Sequence, residues 1–196
     1  MRRLSYAALA LALLSAACSR NATRNATTSG PLPEAPEELL SRVDVADPRG
    51  FVQLVSGFSK LEPDQWRWTA SKLTVVLKTP AGAQAAGAQA AGADAAGARV
   101  AGALLELKFE LPPVIVERLG PVSVRASVNG LPLSAETFAQ AGSQTYRREV
   151  PAAALAEKAV VVEFATDKAI PPSADDDREF ALIARRVALV DTLVGK

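Results

Sequence analysis

The chain predicts an all-β fold, an antiparallel sandwich, on three observations. Six stretches between residues 72 and 190 set apolar and polar residues in alternation, the period-two pattern of strands that bury one face. Short polar connections separate several of them, as expected where successive strands pair through tight turns. The third stretch is followed by Asn129-Gly130, a dipeptide that favours the two-residue hairpin turn.

The first segment is a leader rather than part of the fold. Met1-Arg2-Arg3 is a positive start, residues 7–14 are an apolar run, and Ser15-Ala16-Ala17-Cys18 is a small-residue cleavage stretch, the order of a secretory signal. Cys18 is the single cysteine in the chain. The arrangement resembles the lipobox of bacterial lipoproteins, which implies cleavage after residue 17, lipidation of the Cys18 sulfur and acylation of the new N-terminus. One place departs from that pattern: Ser15 stands three residues before the cysteine, with Leu14 a step earlier. Ordinary signal-peptide cleavage is the alternative, and the apolar run is shorter than the ~20 residues of a spanning helix. Two or more acyl chains give stable anchoring. Ser19 is not the aspartate that resembles an inner-membrane retention signal, so the expected location is the outer membrane of a bacterial envelope, facing periplasm or surface.

Residues 18–38 read as a lipidated N-terminus and flexible tether. They are polar and carry Pro31, Pro33 and Pro36, with too little apolar content to pack. Some twenty extended residues span up to roughly 65 Å. Residues 39–196 are then one β-sandwich domain. Its beginning is ambiguous, since 37–43 suits one or two helical turns and 51–55 a strand.

Strands follow at 72–78, with Leu73, Val75 and Leu77 inward, and at 105–111, where apolar residues alternate with Glu106, Lys108 and Glu110. Between them, residues 81–102 repeat Ala-Gly-Ala-Gln-Ala with period five. That period is too short for a solenoid, each glycine costs a helix ~1 kcal/mol, and no apolar stripe is available for docking. A mobile loop inserted between two strands is the expectation, with a recognition or coiled-coil element as the alternative. Val122, Val124, Ala126 and Val128 form the next apolar row, and further strands are expected at 144–150, 159–166 and 180–190. The last loses its alternation at Ala184-Arg185-Arg186-Val187, as a strand does at a bulge.

Composition excludes several chemistries. Histidine is absent, which removes Ser-His-Asp and Cys-His catalysis and histidine-based zinc sites. Lys and Arg number 22 against 21 Asp and Glu. Loss of Arg2 and Arg3 with the leader leaves 20 against 21, a formal charge of −1, which is no footprint for nucleic acid. Neither a nucleophile elbow nor a phosphate-cradling glycine loop is present. Nothing selects a catalytic carboxylate pair from the 21 acidic residues. No enzyme activity and no cofactor are expected.

Across residues 50–190 an order of short motifs stands out: Gly57-Phe58, Glu62, Trp66-Arg67-Trp68-Thr69, Val128-Asn129-Gly130, 146–151, 160–164 with Asp167, and Asp177-Arg178-Glu179. This order resembles the galactose-binding-domain-like jelly rolls of bacterial envelope and glycan-related proteins. The resemblance implies a jelly-roll sandwich that binds a glycan or a glycosylated partner. Similar modules continue Asp-x-Arg-Glu with Leu-Gly, whereas Phe180-Ala181 follows here.

The ligand-binding candidates are Trp66, Arg67, Trp68, Tyr146, Asp167, Asp177 and Arg178. On a strand Trp66 and Trp68 share one face and Arg67 takes the other. The tryptophans suit either a sugar-stacking surface or a core pair. Arg67 and Arg178 suit either forked recognition of a ligand or salt bridges with Glu62, Asp167 or Asp177. Asp175-Asp176-Asp177 offers hard oxygen ligands, but without EF-hand spacing it reads as a solvated acidic loop, and no metal site is assigned. The expected function is a lipid-anchored envelope module recognising a glycan or glycosylated partner. The alternative is a structural envelope lipoprotein that docks a protein.

Overall fold

The computed structural model describes residues 38–91 and 101–192. In chain order these form β1 (Arg42–Asp44), a 3₁₀ turn (Pro48–Gln53), β2 (Leu54–Phe58), β3 (Arg67–Lys78), α1 (Ala81–Ala91), β4 (Ala101–Leu111) and α2 (Pro113–Leu119). There follow β5 (Val122–Val128), β6 (Leu131–Pro132), β7 (Glu136–Phe138), β8 (Gly142–Pro151), a 3₁₀ turn (Ala152–Ala154), β9 (Ala159–Thr166) and β10 (Ile183–Asp191). The protein is an all-β, antiparallel, jelly-roll-like sandwich.

Strands run in the order β6-β5-β9-β3-β10-β4-β8, with β1 on β10, β2 on β3 and β7 on β5. The long β3 belongs to both layers. Its first residues, Arg67 and Trp68, pair with Ala184 and Ile183 of β10, while 72–78 pair with β9. A strand that switches sheets in this way makes the corner of a sandwich. The inner faces meet through aromatic pairs: Tyr146 of β8 lies edge-on to Phe164 of β9 at 6.0 Å, and Phe109 of β4 to Phe138 of β7 at 5.0 Å. The alternating apolar rows form the core they predict, with Leu73, Val75, Leu77, Leu105, Leu107, Val122, Val124 and Val128 all buried.

Local chemistry explains the boundaries. Asn129 and Gly130 both have positive φ, 48° and 80°, which the tight turn between β5 and β6 requires. The ladder between β10 and β4 slips between Ala184 and Arg186, the bulge expected from the broken alternation. Pro113 opens α2, where a missing N–H costs nothing, and Ile115 anchors it in the core. Residues 42–44 form a strand on β10 instead of helical turns, and 51–53 belong to the 3₁₀ turn that precedes β2. Gln53 fastens this region: its buried amide accepts from Leu40 N and donates to the carbonyls of Leu40 and Val76.

The alanine repeat departs from expectation, because residues 81–91 are helical rather than a loop. The remainder, 92–100, lies outside the described residues, and Ala101 and Gly102 already belong to β4. The helix docks without an apolar stripe by bringing its backbone close. Ala83 and Gly87, four apart on one face, are buried. A β-carbon at Gly87 would lie 2.6 Å from Leu155 C and Ala156 N and 2.7 Å from Ala152 O. The glycine that weakens the isolated helix is what lets it dock.

Candidate functional site

The two tryptophans sit where the β2–β3 connection enters β3. Glu62 N–H donates to Trp66 O, and Ser59 N–H to Trp68 O, so the connection is tied back on the strand. Trp66 and Trp68 lie edge to face at 5.9 Å, on one side of β3 as their parity predicts. Trp68 is half-buried and meets the ring of Phe180 edge-on at 4.9 Å. Arg67 points the opposite way and is buried. Its Nε donates to Val45 O at 3.0 Å and its Nη1 to Ser59 O at 2.9 Å, and its guanidinium lies over Phe51 at 5.2 Å. Burial lowers its pKa. Arg67 is therefore a structural clasp between segments.

The loop before β10 is closed by Ile170 and Phe180, each donating its N–H to the other's carbonyl. Inside it, Arg178 donates from Nε and Nη2 to the Asp176 carboxylate, at 2.9 and 2.7 Å, and from Nη1 to Glu62 at 3.0 Å. Its guanidinium also stacks over Phe180 at 4.9 Å. The hydrogen bonds from Arg178 hold Asp176 down to about 2, and the same partnership raises the arginine. The expected bridge from Arg178 to Glu62 forms, with Asp176 as the second carboxylate, while Asp177 is exposed.

Two open clefts adjoin at this loop and share Ser173 and Arg178. The larger, about 840 Å³, runs between 57–60 of β2 and its connection and 173–179. The smaller, about 470 Å³, has Trp68 and Phe180 on its wall, with Arg178 and Arg118 beside them. Both volumes lie within the ~300–1,000 Å³ range of small-ligand sites. Arg118 is exposed on α2, and among the described residues its side chain has no hydrogen bond or ion pair. The arrangement offers aromatic carbon surface beside a free, forked cation.

Phe180 and Arg118 were not among the sequence-derived candidates. Phe180 was legible as the residue that replaces the usual Leu of the similar modules. Arg118 was not, because only the fold carries α2 to the tryptophan end. Two candidates stand elsewhere. Tyr146 is fully buried, with its hydroxyl donating to Ser134 O at 2.8 Å and Arg148 over its ring at 4.9 Å; burial raises its pKa. It is a core residue and has no surface to offer a ligand. Asp167 lies beyond the end of β9, where its carboxylate accepts from Ser123 N at 2.7 Å and ties β9 to β5. Among the described residues no three His, Cys, Asp or Glu side chains converge on a metal-sized site. Cys18 lies outside the described residues.

No protein-family model matches the chain, and no curated protein sequence matches it. Among solved structures it is similar to the carbohydrate-binding module CBM36 in complex with calcium and xylotriose, at 6% identity, over 76% of this chain and 98% of that one, with a TM-score of 0.38.

Proposed function

We propose that the protein is a binding module for a glycan or glycosylated partner, held in a bacterial envelope by lipid on Cys18. The observation that supports this most is the open cleft where Trp68 and Phe180 share a wall with Arg118. A sugar ring presents C–H groups on its faces and hydroxyls around its edge. Half-buried aromatic surface suits the first and a forked guanidinium the second. Arg178, already held by Glu62 and Asp176, sets the shape of the cleft. The order of charged start, apolar run, small residues and Cys18 supports the anchor. A glycan array probed with wild type and Arg118→Ala tests the reading: glycans retained by wild type should lose signal in the variant.

A second reading, docking of an envelope protein, is favoured by a different surface. Phe51, Val52 and Val55 are each more than half exposed around β2, which pairs only with β3 among the described strands. Open edges and exposed apolar residues are where proteins join.

A further inference from the structure

Several strand cations are held by carboxylates, Lys78 of β3 by Glu38 among them. On the sheet that contains β4, β8 and β10, Arg147 pairs with Glu106, Arg185 with Glu110 and Arg186 with Asp44. On the other sheet, Lys72 of β3 and Arg125 of β5 stand on either side of Ala165 of β9, each in register with it. Both cations are exposed, and among the described residues neither side chain has a hydrogen bond or ion pair. Two strand spacings put their Cα atoms ~9.5 Å apart, with only the methyl of Ala165 between. The next row outward is Thr74, Glu163 and Ser127, where Ser127 Oγ donates to Glu163 at 3.1 Å. These residues line a cleft of about 570 Å³.

We infer that the Lys72–Ala165–Arg125 row is an anion site that takes a carboxylate substituent of an extended acidic saccharide. Two cations that flank a small residue and line one cleft leave room for one carboxylate between them. Thr74, Ser127 and Glu163 supply donors and acceptors for the hydroxyls around it. Trp68, Ala70, Lys72 and Thr74 share one parity along β3, with Ala70 lining the large cleft. At ~3.4 Å per residue the row lies about 14 Å from Trp68, so one extended chain reaches both. The inference rests on the glycan reading for the nature of the chain, and adds the acidic class of the ligand.

The test is titration with tri-galacturonate and with its carboxyl-reduced, neutral counterpart, using the full mature protein. Wild type should bind the acidic form on the order of tenfold more tightly, an advantage that shrinks in high salt as the charges are screened. Lys72→Gln with Arg125→Gln should bring the two affinities within about twofold while leaving the melting temperature in place. Ala165→Glu, which sets a carboxylate between the cations, should do the same. An undiminished preference in both variants would overturn the anion site. Equal and measurable affinity of wild type for the two probes would overturn it while leaving the glycan reading standing. Binding of neither probe would overturn the anion site and leave the glycan reading to the array.

Discussion

Arg178 reaches Glu62 across 116 residues of sequence, Nη1 to Oε1 at 3.0 Å, and so ties the loop before β10 to the β2–β3 connection. Arg178 shares the cleft wall with Trp68, and Glu62 N–H donates to Trp66 O, so the tie fixes the walls of the cleft rather than the core. Arg178→Ala should accordingly speed amide hydrogen exchange across 173–179 and leave the exchange of β4 and β9 unchanged, because half-buried ion pairs between surface loops still reach solvent and contribute little to global stability. Equal acceleration in the core strands would show that the tie supports the whole sandwich.

Arg67→Ala should behave in the opposite way. It leaves the carbonyls of Val45 and Ser59 without their donor and removes the guanidinium's contact with the ring of Phe51, which costs about 2 kcal/mol. Urea denaturation should register the loss, while saccharide affinity of the folded variant stays at the wild-type level. A stable variant that no longer bound saccharide would return Arg67 to the site.

The tie has a defined pH dependence. Asp176 titrates near 2 in the folded protein, below the ordinary 3.8, so its contribution is complete above about 3.8 and is lost as pH falls through about 2. Protection of 173–179, taken relative to the intrinsic exchange rate at each pH, should fall over that acid window in wild type. Asp176→Asn, which has no such carboxylate, should show a faster and flatter profile. Parallel profiles for the two proteins would remove Asp176 as the acid-sensitive group.

Gly87→Ala reverses the usual sign of a helix substitution. Alanine is the better helix former by ~1 kcal/mol, but its β-carbon would overlap the backbone of 152–156. Forced repacking of this kind costs about 1–3 kcal/mol. Chemical denaturation should find the variant less stable than wild type, and Gln89→Ala on the exposed side of α1 neutral or better. A more stable Gly87→Ala would mean that α1 does not dock there.

Cys18→Ser should block acylation, and mass spectrometry of the membrane fraction should lose the lipidated N-terminus. A wild-type mature protein that carries no lipid would remove the anchor.

The strands were largely legible because one buried face imposes period two. Residues 159–166 are β9 without adjustment, and the loss of alternation at 184–187 marked the bulge. Tyr146 was misplaced among the ligand candidates on its aromatic character, although it shares parity with the inward Val150 on β8. The helix at 81–91 was not, because it docks through the absence of side chains at Gly87, whereas helix patterns are sought in apolar stripes. Half of the cleft was also hidden. Trp68 and Arg178 stood out by residue type, but Arg118 joins them only through the three-dimensional path of α2.

Whether the Trp68–Phe180–Arg118 cleft holds saccharide is read by titrating the ¹⁵N-labelled protein with a glycan retained on the array and following the indole and backbone N–H resonances. The chain has two tryptophans, so the indole signals are few enough to assign by single substitution. Saturable shifts are expected of the Trp68 indole and of the Phe180 and Arg118 amides, with Tyr146 and Val150 unmoved. Saturable shifts confined to other surfaces, with Trp68, Phe180 and Arg118 unmoved, would contradict that expectation.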